Sequence, residues 1–168
     1  MKRALTLAAG ILAGLIGAAP AVAATPSAPA TAVDPTGFAS DAEVKAQVAA
    51  MAAAMKPGQG FAYQPLVRDG TTVAALEYWK KPGRPAVHPD QAEYAIVIAG
   101  AGTLISGGTL AEPQAVKPDL TEGARIVGGK TRTLGPGDIL LIPAGVPHWF
   151  GITGGRLVLL GMKLPRGR

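Results

Sequence analysis

The sequence predicts an all-β sandwich or barrel with one helix in front of it, and three observations carry that expectation. From Phe61 onward, short segments rich in Val, Ile, Leu, Thr and Tyr are punctuated by Gly and Pro, the pattern of many short strands. No long helical periodicity interrupts them, which points to a β architecture closed around one core. Upstream, Ser40-Asp41-Ala42-Glu43 is a capping-box pattern, and Val44, Val48, Met51 and Met55 follow at helical spacing until Pro57-Gly58. That Met and Ala stripe reads as a packing face against the outside of the β domain.

Strands are expected near 61–67, 72–80, 85–88, 92–99, 102–106, 124–134, 138–142, 147–152 and 156–164. Turns fall at Asp69-Gly70, Lys81-Pro82-Gly83, Gly100-Ala101-Gly102, Gly135-Pro136-Gly137, Ala144-Gly145 and Gly154-Gly155. Ser106-Gly107-Gly108 and Val127-Gly128-Gly129 are expected to flank a hairpin with a long loop from Ala111 to Glu122. Neither Gly-Gly pair is followed by the Lys-Ser/Thr helix start of a phosphate cradle, so both read as bends or bulges.

The first residues read as an export signal. Lys2 and Arg3 precede an apolar run from Ala4 to Ala19, Pro20 breaks it, and Ala21-Val22-Ala23 supplies a small-x-small cleavage pattern. The run is short for a bilayer span. The expected organisation is a signal peptide at 1–23, a flexible Ala/Pro/Ser/Thr linker at 24–39, a helical segment at 40–58 and a β-barrel domain at 59–168. The expected location is periplasmic or secreted, with no stable membrane anchor after cleavage.

Removing Lys2 and Arg3 with the leader takes two from the 16 basic residues and lowers the net charge from +5 to +3. The remaining basic residues are scattered, so nothing calls for a nucleic-acid partner. The chain has no cysteine. Disulfides are therefore excluded, and any metal must be held by imidazole and carboxylate.

Only two histidines are present. The first begins His88-Pro89-Asp90-Gln91-Ala92-Glu93, with Gly100 seven positions after Glu93. The second ends Gly137-Asp138-Ile139-Leu140-Leu141-Ile142-Pro143-Ala144-Gly145-Val146-Pro147-His148. His88 ends one expected strand and Glu93 opens the next, so a tight turn places them side by side. Alternation then puts Ala95, Val97 and Ala99 on the face of Glu93, and Tyr94, Ile96 and Ile98 on the other. The Pro143-x-Gly145 turn delivers His148 to a later strand, with Phe150 and Ile152 on its face. Two imidazoles and one carboxylate on inner faces form a facial triad suited to a divalent transition metal: Fe, Mn, Ni, Cu or Zn.

These segments resemble the two signature motifs of the cupin superfamily: His-x-His, three or four residues, Glu, six residues, Gly; then Gly, five residues, Pro-x-Gly, two residues, His. The resemblance covers residues 60–164. It implies a jelly-roll antiparallel β-barrel (a double-stranded β-helix) and His88, Glu93 and His148 as metal ligands. The chain departs from the pattern at Ala86, where the family's other histidine would stand, and at Ile152, where Asn is frequent. Gln91 offers a substitute ligand.

The inner residues Ala86, Ala95, Val97, Phe150 and Ile152 make an apolar pocket that suits a small apolar or aromatic molecule. Arg84 shares the face of His88 and is expected to hold an anionic substrate group, with Phe150 as a substrate contact and Glu93 as both ligand and proton carrier. The expectation is a metal-dependent oxygenase, lyase or isomerase; the alternative is a non-catalytic small-molecule or metal-binding barrel. By the family resemblance, the outward set Tyr94, Ile96 and Ile98 suggests a homodimer.

Overall fold

The computed structural model describes residues 34–166. The expected leader at 1–23 and most of the linker lie outside the described residues. The capping box is present: Ser40 N–H donates to Glu43 Oε2 at 2.7 Å, and Glu43 N–H donates to Ser40 Oγ at 3.2 Å. It opens helix α1, Asp41–Ala54, which ends before Pro57. Val44, Val48, Met51 and Met55 pack on Leu76, Tyr78 and Val158, so the stripe lies against the outer face of the sheet as its spacing implies. No helix among the described residues is long and apolar enough to cross a membrane.

Eleven strands follow among the described residues: β1 (Phe61–Asp69), β2 (Thr72–Trp79), β3 (Ala86–Val87), β4 (Gln91–Ser106), β5 (Thr109–Ala111), β6 (Gln114–Lys117), β7 (Leu120–Glu122), β8 (Arg125–Val127), β9 (Lys130–Leu134), β10 (Ile139–Ile142) and β11 (His148–Pro165). All pairings are antiparallel. The long strands β4 and β11 run against each other from Gln91 opposite Pro165 to Ser106 opposite His148. The far edge of β4 carries β10 and then β9, and the far edge of β11 carries β2 and then β3. The enclosed space is filled by Ala95, Val97, Leu104, Leu134, Leu140, Ile142, Phe150, Leu157 and Leu159. This is the all-β antiparallel barrel with an external helix that the sequence predicts.

The differences are local. The segments expected at 92–99 and 102–106 form the single strand β4, and those at 147–152 and 156–164 form β11, because the intervening glycines bend a strand without ending it. Register shifts lie in β11 between Ile152 and Leu157 and opposite Ile98 in β4. The second moves Ala99 to the helix side, beside Ile98 and Val158. The expected inward position of Ala99 is thus corrected by a bulge, which reverses alternation beyond it. The expected 124–134 strand divides into β8 and β9. The expected 111–122 loop holds the β6–β7 hairpin, which joins the sheet by pairing β7 with β3. β5 pairs with β8 at its base, Thr109 opposite Val127.

Gly100 sits where the two long strands bend together. Its φ is 82°, and a methyl there would collide with the Arg156 carbonyl oxygen. Gly100→Ala is therefore expected to cost at least about 2 kcal/mol, through left-handed strain plus the clash. Urea denaturation checks this, and a cost within about 0.5 kcal/mol of zero would contradict the β4–β11 register.

Candidate metal centre

The two motifs meet through backbone as well as side chains. Pro143-Ala144-Gly145 turns the chain out of β10, with Gly145 at φ 80°, a conformation glycine adopts without steric cost. The Gly145 N–H donates to the His88 carbonyl oxygen at 2.8 Å, tying the second motif's turn to the first motif's histidine. Three residues later His148 opens β11 opposite Ala86 of β3 and Ser106 of β4. Glu93 lies in β4 opposite Ile142 on one side and Lys163 on the other. The result is a group of His88, Glu93 and His148 whose ligand atoms all lie within 4.8 Å of one another. The fold is of the cupin type.

The two imidazole rings of this cluster are aimed by backbone carbonyls. His88 Nδ1 lies 2.9 Å from the Asp119 oxygen and His148 Nδ1 lies 3.1 Å from the Val146 oxygen. A carbonyl only accepts, so each Nδ1 is assigned the proton, and each Nε2 turns toward the centre. Glu93 Oε2 lies 3.7 Å from His88 Nε2 and 3.1 Å from His148 Nε2. Glu93 and His148 are among the most enclosed polar residues described, at 4% and 5% exposure. At 3.1 Å, a bare imidazole lone pair facing a carboxylate oxygen is repulsive. A proton or a cation must stand between them. The donor set of two imidazoles and one carboxylate fits a divalent transition ion.

The fourth polar group was not anticipated. Lys163 Nζ lies 2.9 Å from His88 Nε2 and also donates to Glu93 Oε2. Neither Ala86, beside His148 on β3, nor the expected substitute Gln91 supplies this contact. The lysine escaped the sequence because the register shift between Ile152 and Leu157 flips parity: His148 and Phe150 point inward at even numbers, but Leu157, Leu159 and Lys163 do so at odd ones. The available signal was the antiparallel pairing of the last strand with the Glu93 strand.

The remaining candidates separate into two places. Phe150 is buried in the core with its ring 6.0 Å from that of His148, so it walls the ligand cluster. Arg84 does not join the ligands. It lines a cavity of about 570 Å³ with Arg125, Ile105, Ile126 and Trp149, and its Nε lies 3.6 Å from Glu122. Trp149 donates to the Gly83 carbonyl at 2.9 Å. Trp79 packs on the barrel core and donates to Glu77 Oε2 at 3.2 Å.

Burial pushes the Glu93 carboxyl up, but the hydrogen bond with His148 and the charges of Lys163 and His148 outweigh it and hold the group down to about 2. Burial, reinforced by the Lys163 charge, pushes His88 down, which keeps its inward nitrogen unprotonated near neutrality. Glu77, on β2, is raised from 4.5 to about 7, first by burial and then by the negative charge of Glu93.

No family model matches the chain, and no curated protein matches it. Among solved structures it is similar to the DMSP lyase DddQ from Ruegeria pomeroyi DSS-3, at 21% identity and a TM-score of 0.49 over 78% of this chain and 67% of that one. It is similar to KdgF from Halomonas sp., at 17% identity and a TM-score of 0.46 over 67% of this chain and 87% of that one. It is also similar to hydroquinone 1,2-dioxygenase PnpCD, solved with Cd2+ and 4-hydroxybenzonitrile, at 17% identity and a TM-score of 0.49 over 64% and 66%. What makes this chain cupin-like is its own register, which brings both motif histidines and Glu93 to one centre.

Glu77 gives a pH signature. An unfolded chain ionises it near 4.5, whereas the folded chain retains the proton up to about 7. Its contribution to stability is therefore greatest in acid and is lost as pH rises across that window. Glu77→Gln keeps an acceptor for Trp79 without the charge. The variant is expected to exceed wild type by about 1–3 kcal/mol at pH 8, with the gain vanishing toward pH 4.5. Denaturation curves at several pH values check this, and a pH-independent difference would contradict the assignment.

Proposed function

We propose that the chain is an exported cupin that holds a divalent transition metal at His88, Glu93 and His148 and acts on a small apolar or aromatic molecule. The observation that carries the metal assignment is the orientation of the two rings. Both Nδ1 atoms are held by backbone carbonyls, and both Nε2 atoms face the buried Glu93 carboxylate. An ion bound there supplies Lewis-acid polarisation and open coordination positions.

The chain's own residues define the rest. Phe150, Val97 and Ala95 wall the cluster with apolar surface, which favours an apolar substrate over a free sugar. Glu93 serves as a ligand. Glu77, held near neutrality, is suited to carry a proton at its carboxyl oxygen. Arg84, with Trp149 beside it, is the proposed contact for an anionic group in the outer cavity. The reaction class fitting this set is an oxygenase, lyase or isomerase. Support for export comes from the charged, apolar and small-residue pattern of residues 1–23. Support for a homodimer comes from Ile139 and Leu141, exposed at 65% and 63% across from Ile96 and Tyr94 on the outer sheet.

A second reading, a non-catalytic binding barrel, is favoured by Lys163, whose ammonium already satisfies Glu93. The two readings part at Glu93→Gln under a turnover assay. An enzyme loses rate far more than affinity, and a binder keeps its ligand. For the shared metal site, His148→Ala is expected to reduce bound metal from one equivalent per chain to none after dialysis, by elemental analysis. A variant that keeps its full equivalent would remove His148 from the site.

A further inference from the structure

Lys163 places a positive charge on two of the three atoms that an ion needs. Its Nζ lies 2.9 Å from His88 Nε2 and donates to Glu93 Oε2, so ammonium and metal compete for the same lone pairs. The contact follows from the fold, because Lys163 stands opposite Glu93 in the β4–β11 ladder and side chains at opposed positions share a face. The lysine differs from its partners in access. Its side chain is 34% exposed, against 4% for Glu93 and 6% for His148. It also lines a cavity of about 290 Å³ together with Glu77, Gln91 and Asp119. It can therefore leave the cluster along its flexible stem while the barrel stays closed.

We propose that the Lys163 ammonium is a resident competitor for the metal, and that an ion loads by displacing it into the cavity where Glu77 and Asp119 receive it. The inference rests on the metal assignment above. Without an ion, the lysine neutralises Glu93, so a buried unpaired carboxylate never arises and the barrel folds metal-free. With an ion, the pair must break. That requirement selects ions that gain strongly from imidazole nitrogen, such as Zn2+, Cu2+, Ni2+ and Co2+. It disfavours Mg2+ and Ca2+, whose preference for oxygen offsets little of the lost pair.

The test is Co2+ titration of the chelator-stripped full chain, followed by absorption spectroscopy and calorimetry, for wild type, Lys163→Leu and Lys163→Gln. Removing the competitor is expected to tighten Co2+ binding by a factor on the order of ten, about 1.4 kcal/mol. It should also lower the melting temperature of the stripped variant and enlarge the rise that Co2+ produces. Gln retains hydrogen bonding to Glu93 without the charge, so it decides the matter if the Leu variant does not fold. Unchanged or weaker binding in the variants, with wild type binding one equivalent, would overturn the competitor role and leave the metal site standing. A weaker site with an altered cobalt spectrum would make Lys163 a ligand, which also overturns it. Absence of binding in all three proteins would sink the metal assignment and this inference together.

Discussion

A single carboxylate, Glu93, sets the terms for the rest of the barrel. It is almost fully enclosed, and an isolated ionised carboxylate in such a place would cost several kcal/mol. The structure meets that cost with the His148 imidazole and the Lys163 ammonium, both directed at one oxygen. The backbone carbonyls of Asp119 and Val146 fix the two rings, so the arrangement is preorganised and does not depend on flexible side chains finding one another.

The scaffold that makes this possible is the β4–β11 ladder. It carries Glu93 and Lys163 at one end and His148 at the other, across a bend made by glycines and register shifts. His88 is drawn in by the β3–β11 pairing and by the hydrogen bond from Gly145. Charges confined to so small a volume shift one another. Glu93 is held low, Glu77 is driven high and His88 is kept neutral. Carboxylates driven apart in this way are suited to different roles within one site.

Much of this was legible from residues alone. The Pro143-x-Gly145 turn, the placement of both histidines and the alternation through Glu93, Ala95 and Val97 were readable because turn chemistry and period-two patterning are local properties. What escaped was non-local. Ala99 lies beyond a bulge, and Lys163 lies beyond a register shift, and each reverses the parity that sequence reading extends unbroken. The β6–β7 hairpin was hidden for a different reason. Its short strands, β6 exposed and β7 half-buried, join the sheet through the pairing of β7 with β3, far away in the chain. Arg84 shows the same limit, since alternation along a strand as short as β3 does not fix a residue outside it.

The most direct test of the central claim is an anomalous-diffraction experiment on crystals of the protein grown with Co2+. One peak is expected within about 2.1 Å of His88 Nε2, His148 Nε2 and a Glu93 oxygen. A peak bound elsewhere, or ordered density with the two rings turned away from Glu93 and no ion between them, would contradict it.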